Sequence, residues 1–193
     1  MQQKTFKFYQ QPDFLAENFI ISSCNIDAVN AITNPVWPFY SVSIYGPKKS
    51  GKTHICSLAP QDTIILEDID KSTNLTKILA QINLAKEQEK KVLITSVAPL
   101  ASLKISLPDL QSRLSAIPSF AILPPDDNLV YLLFARYFKQ NQLKVSDDVI
   151  NYLASRTERC YNSIYEMVKK IDELSLQDKK NITIPLCNKL FLN

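Results

Sequence analysis

The chain has 193 residues, 46% hydrophobic and 21% charged, which are the proportions of a folded domain with a real core and exclude a disordered segment. A net charge of +3 is too small for charge alone to hold a DNA duplex, and no apolar run approaches the ~18 residues of a membrane span. One histidine excludes a histidine-rich metal centre, and four scattered cysteines without a C-x-x-C pair read as free thiols of the cytoplasm.

Residues 1–13 show neither helical nor strand period and read as a flexible tail, without the apolar stretch of a signal peptide. The spacing over 25–33 predicts a short helix, and the turn Asn34-Pro35-Val36-Trp37-Pro38 leads into a β-branched and aromatic strand over 39–45. Next comes Gly46-Pro47-Lys48-Lys49-Ser50-Gly51-Lys52-Thr53, which meets the phosphate-loop pattern G-x-x-x-x-G-K-[ST] at every fixed position. These two glycines are the only ones in the chain, where average usage would give roughly 14. A loop that aims successive backbone N–H groups at phosphate needs conformations and close approach that a Cβ obstructs. A helix is expected over 51–58. Lys52 is expected to reach the β- and γ-phosphates of ATP or ADP, and the Thr53 hydroxyl to ligate Mg²⁺. Lys48 and Lys49 either add positive field or are simply solvated. His54 closes the cofactor-binding stretch and reads as packed on the helix rather than catalytic.

The apolar strand over 63–68 ends in Glu67 and Asp68. A Walker-B acid at such an end holds the metal while its neighbour orients a water, so Glu67 is expected on the metal and Asp68 on the water, with the roles exchangeable. The structural reading, that one of them caps the next helix, stays open beside it. A helix follows over 74–90, its charged end read as solvated, and then a third strand over 92–96. Thr95 and Ser96 end that strand, where hydroxyls either sense the γ-phosphate or form ordinary turns. A fourth strand is expected over 119–123, closed by two prolines. Four helices are predicted beyond it, over 126–141, 146–156, 160–174 and 185–191, with Asp126 and Ser146 as N-caps and Pro185 in a first turn. The pattern is α/β: a P-loop sandwich on a short parallel sheet over 14–125, then an all-helical lid over 126–193.

Together these segments resemble the AAA+ module of the DnaA initiator family, and within it the short Hda-type regulators. The resemblance rests on Tyr45 through His54, on Ile65-Leu66-Glu67-Asp68-Ile69-Asp70, on Leu93-Ile94-Thr95-Ser96, on Leu107-Pro108-Asp109-Leu110-Gln111-Ser112-Arg113-Leu114, on Ser146-Asp147-Asp148-Val149 and on Ile182-Thr183-Ile184-Pro185. It covers nearly the whole chain. It implies that Arg113 is an arginine finger acting on a nucleotide in a neighbouring subunit. It also implies a DnaA-type initiator as partner and a sliding clamp bound through Gln3, Phe6 and Phe8 of the tail. The initiator's DNA-binding domain is not expected here, so neither is direct sequence-specific DNA binding; a homodimer stays open.

Three departures shape these expectations. The stretch 58–63 is too short for the usual strand and helix, so the sheet is expected to lack one edge strand. Val97 stands where an acidic sensor would fall. The sensor arginine of the lid aligns with Asn162, and Arg159, three residues earlier on the expected helical face, is the candidate substitute. Slow hydrolysis by the chain itself is implied, with the bound nucleotide acting as a regulatory switch. The competing readings are a P-loop kinase of a small molecule and a non-hydrolysing AAA+ adaptor or loader at the replisome.

Overall fold

The computed structural model describes residues 19–192. The chain packs as two compact units that meet in sequence between Asp126 and Asp127. The expected clamp-binding residues Gln3, Phe6 and Phe8 lie outside the described residues.

The first unit is a four-stranded parallel sheet, β1 (Ser41–Tyr45), β2 (Ile64–Leu66), β3 (Val92–Ser96) and β4 (Ser119–Ala121), in the order β2-β3-β1-β4. β1 and β3 pair along their whole length, from Ser41 opposite Val92 to Tyr45 opposite Ser96. Both are buried almost throughout, as central strands covered on two faces must be. The covering helices are α1 (Ile26–Thr33), α2 (Lys52–Cys56), α3 (Leu75–Glu87) and α4 (Pro108–Ala116). On one face Ala28, Val29 and Ile32 of α1 and Ile55 of α2 pack on Val42, Ile44 and Leu93. On the other, Ile78, Ile82 and Ala85 of α3 and Leu110 and Leu114 of α4 pack on Val92 and Ile94. β2 pairs only with β3 among the described residues, so the sheet has no strand beyond it, as the shortness of 58–63 implies.

The elements differ from the sequence reading in identifiable ways. β1 begins at Ser41 rather than 39, because Phe39 and Tyr40 both adopt left-handed backbone, with φ of 52° and 57°. β2 is held to three residues by the left-handed Asp68. α2 ends at Cys56, two residues early. α4 was not predicted as a helix, although Pro108 stands in its first turn, where a proline fits.

The second unit is all-helical: α5 (Asp127–Gln140), α6 (Asp147–Ala154), α7 (Tyr161–Asp178) and α8 (Ile184–Asn188). Leu129, Leu133, Phe134 and Phe138 of α5 are buried, as are Ile150 and Leu153 of α6 and Ile164, Val168 and Ile171 of α7, and α5 packs against both helices. Burying each such side chain contributes about 1.5–3 kcal/mol. Tyr152 on α6 donates its hydroxyl to Asn188 at 2.7 Å, which pins α8 to α6. Ser146 stands at the N-cap of α6 without a side-chain capping bond, and Pro185 sits in the first turn of α8.

Candidate phosphate-binding site

The carboxyl ends of parallel strands share one edge of the sheet, and in open α/β sheets ligands bind outside that edge. Here the edge carries the 46–53 loop after β1, Glu67 and Asp68 after β2, and Thr95 and Ser96 at the end of β3. The loop is tied to its neighbour strand by the Gly46 N–H, which donates to the Ser96 carbonyl at 3.2 Å.

Both glycines are required by the backbone. A Cβ on Gly46 would come within 2.8 Å of the Ile122 carbonyl oxygen and of Ser50 Oγ. Gly51 has φ of 88°, which L side chains rarely adopt. Lys49 shares the left-handed region at φ 64° without that excuse. Pro47, Lys48 and Lys49 are exposed, whereas Ser50 and Lys52 are buried. The Lys52 ammonium folds back and donates to the Gly46 and Pro47 carbonyls, each at 2.9 Å. Burial pulls its pKa below the ordinary value, while Asp68 and Asp70 pull the other way. Ser50 Oγ is buried without a hydrogen-bond partner, an orphan that normally costs about 1–3 kcal/mol. A cradle that excludes a Cβ, a buried lysine and an unpaired hydroxyl fit a phosphate group.

Thr53 donates its hydroxyl to Glu67 Oε2 at 2.8 Å, so the two side chains expected on Mg²⁺ already meet. The donor set, a hydroxyl and a carboxylate, suits that hard cation. Asp68 stands differently. Its N–H donates to Thr95 Oγ1 at 2.9 Å, and its carboxylate is engaged by Lys71. Thr95 and Ser96 are fully buried, and Ser96 donates to the Ala98 carbonyl at 2.6 Å. The Thr95 hydroxyl therefore orients the strand end carrying the acids. His54 packs edge-on against Phe19, with ring centroids 5.1 Å apart.

Two contacts here were not foreseen. Asp70 accepts from the Val97 N–H at 3.0 Å, and Lys71 pairs with Asp68. The run Glu67-Asp68-Ile69-Asp70 shows the acids, but only the short helical turn Ile69–Lys71 brings the later pair back over the strand ends.

Arg113 is not brought to this edge. It lies on α4, paired through Nε with Asp109 one turn earlier at 3.2 Å. It lines a groove of about 250 Å³ together with Phe39, Ile82, Lys86 and Ser41. Ser41 opens β1 and Gly46 follows its last residue, so groove and phosphate loop are separated by the strand's length, about 13 Å.

Within the helical unit, Arg159 pairs with Asp127 at 2.6 Å. The expectation that Arg159 and Asn162 share a helical face fails. Cys160 is extended, with φ −144° and ψ 141°, and caps α7, so Arg159 precedes the helix. Asn162 lies in the first turn of α7 and is half-buried. Among the described residues no helix is long and apolar enough to cross a membrane.

Comparison with known proteins agrees with this geometry. Residues 127–191 match the family described as "Hda, lid domain". An uncharacterized protein of Haemophilus influenzae is 27% identical over 191 aligned residues, spanning 79% of this chain and 81% of that one. Among solved structures, domain III of the Thermotoga maritima replication initiation protein DnaA superposes with a TM-score of 0.79 at 16% identity, over 92% of this chain and 95% of that one. AMPPCP-bound DnaA from Aquifex aeolicus gives 0.68 at 18% identity, over 88% and 69%. Thermotoga maritima RuvB gives 0.69 at 11% identity, over 92% and 70%. The chain thus has the fold of DnaA domain III, and its residues 127–191 match the Hda lid family.

Proposed function

We propose that the chain is a nucleotide-bound regulator of replication initiation, which promotes ATP hydrolysis by a DnaA-type initiator through Arg113 acting in trans. One observation carries this reading: Arg113 and the chain's own phosphate loop lie at opposite ends of β1. An arginine placed there serves a nucleotide held by another subunit more readily than its own. In the partner, water attacks the γ-phosphorus as the bond to the bridging oxygen breaks, and a guanidinium neutralises charge on the transferring group. Arginine fingers supplied in this way contribute about 10³–10⁵ in rate. That DnaA of the same fold is solved with AMPPCP supports a nucleotide as this chain's ligand.

In the chain itself, residues 46–53 would hold the phosphates of ATP or ADP, with Lys52 turning from the loop carbonyls to phosphate oxygens. Thr53 and Glu67 would hold Mg²⁺, which supplies charge neutralisation. Asp68, engaged by Lys71, is poorly placed to order a water, and Val97 presents only a backbone N–H, already given to Asp70. Occupancy without rapid turnover follows, so the bound nucleotide acts as a switch. Arg159 and Asn162 remain candidates for reading it. Gln3, Phe6 and Phe8 are proposed to tether the chain to the sliding clamp, in the cytoplasm.

The test is direct. Purified chain should retain ADP or ATP, turn it over slowly alone, and accelerate hydrolysis by ATP-loaded initiator when clamp-loaded DNA is added. Rapid phosphate transfer to a small acceptor, with no effect on the initiator, would instead establish a kinase.

A further inference from the structure

The groove beside Arg113 has a wall that the finger assignment does not account for. Pro38–Tyr40 forms a tight helical turn in which two successive aromatic residues, Phe39 and Tyr40, adopt left-handed backbone. For L-residues that conformation costs about 1–2 kcal/mol each. The turn is nevertheless fixed from several sides. The Tyr40 N–H donates to the Trp37 carbonyl at 3.1 Å, and Ser41 Oγ donates to the Phe39 carbonyl at 3.2 Å. Trp37 is buried beneath, with the Lys91 ammonium 5.0 Å from its ring centre.

This strained turn does not bury its aromatic residues. Phe39 is 68% exposed, Tyr40 40% and Val36 75%, so three large apolar side chains face solvent within five residues. A single exposed hydrophobe needs no explanation, but a cluster held out by a strained backbone marks a contact surface. The cations are on the same groove: Lys86 near the end of α3 and Arg113 in the last turn of α4, over a floor of Ile82, Ala116 and Ile117.

We propose that this groove is the docking face for the subunit whose ATP receives Arg113, with Phe39 as the apolar anchor and Lys86 as a second cation facing the partner's nucleotide. The proposal rests on the trans-acting role of Arg113 and adds to it the residues that hold the partner. Continuity with the finger and charge complementarity to a triphosphate select this occupant. A nucleic-acid backbone is disfavoured by the chain's small net charge. An anchor of this kind acts on complex formation, whereas the finger acts on the chemical step.

Phe39→Asn isolates the side chain, because asparagine tolerates left-handed backbone and so preserves the turn. Lys86→Glu reverses the second charge. Each full-length variant is titrated into ATP-loaded initiator with clamp-loaded DNA, and single-turnover hydrolysis is followed. Both should need at least ten-fold more chain for half-maximal stimulation, with Phe39→Asn reaching the wild-type plateau. Arg113→Ala should lose the plateau itself. Wild-type half-saturation by both variants, with the plateau still lost in Arg113→Ala, overturns the docking face and leaves the finger standing. A wild-type plateau with Arg113→Ala removes both. If Phe39→Asn keeps wild-type half-saturation but loses self-association in sedimentation velocity, or loses binding of a labelled single-stranded oligonucleotide, the face belongs to a second copy or to nucleic acid and the proposal fails.

Discussion

Gly46 shows how much one residue decides. Its missing side chain lets the phosphate loop lie against the Ile122 carbonyl and leaves room for the Ser50 hydroxyl, each within 2.8 Å of where a Cβ would sit. Gly46→Ala should therefore displace the loop, costing about 1–3 kcal/mol and lowering nucleotide affinity at least ten-fold. Thermal melting and calorimetry with ADP test this, and a variant that melts and binds like the wild type contradicts it. The motif was legible in the sequence because backbone chemistry dictates its spacing. The partners of its residues were not: Asp70 reaches Val97, Lys71 reaches Asp68, and Phe39 reaches the Arg113 groove only through the fold. Arg159 shows the opposite failure, since a helical spacing was assumed where Cys160 interrupts the helix.

Among the elements, scarcity of glycine has a structural cost that recurs. α3 is followed by Glu89 at φ 52°, α5 by Gln142 at φ 57°, and α7 ends on Lys179 at φ 51°. After α5 the Leu143 N–H returns to the Phe138 carbonyl at 2.9 Å, a helix-ending bond whose left-handed residue is usually glycine. Gln142→Gly should raise stability by about 0.5–1 kcal/mol, the relief of left-handed strain less the added chain entropy. Urea unfolding measures it, and a destabilised variant contradicts it. Hydrophobic period and proline position made most elements readable, because burial of one face fixes that pattern. β1 and β2 were read too long, since left-handed Phe39, Tyr40 and Asp68 end them without a glycine to signal the break. α4 was missed because its apolar face has only Leu110 and Leu114 buried, too sparse a pattern to show a period.

At the scale of the whole molecule, burial raises several weak acids together, Tyr165 among them. The Cys56 thiol is pushed up to about 12 and the Cys187 thiol to about 11, from 9.0, and the Tyr137 phenol to about 12 from 10.0. The folded chain keeps protons that the unfolded chain releases, so their contribution is full below pH 9 and is lost as pH rises from 9 toward 12. Lys52, lowered by burial, works in the opposite direction but is one group against several. The midpoint of urea unfolding should fall as pH rises above 9, where unfolded thiols ionise, and Cys56→Ala should flatten the fall. A constant midpoint contradicts this. In the proposed function the nucleotide loop holds the switch, and Arg113, at the far end of the sheet, acts on a partner's ATP. The most direct measurement is single-turnover hydrolysis by ATP-loaded initiator at saturating chain, comparing the wild type with Arg113→Ala. Stimulation should drop by about 10³ or more, with melting temperature and bound nucleotide unchanged in the variant. Undiminished stimulation, or loss of the chain's own nucleotide on removing Arg113, would contradict the account.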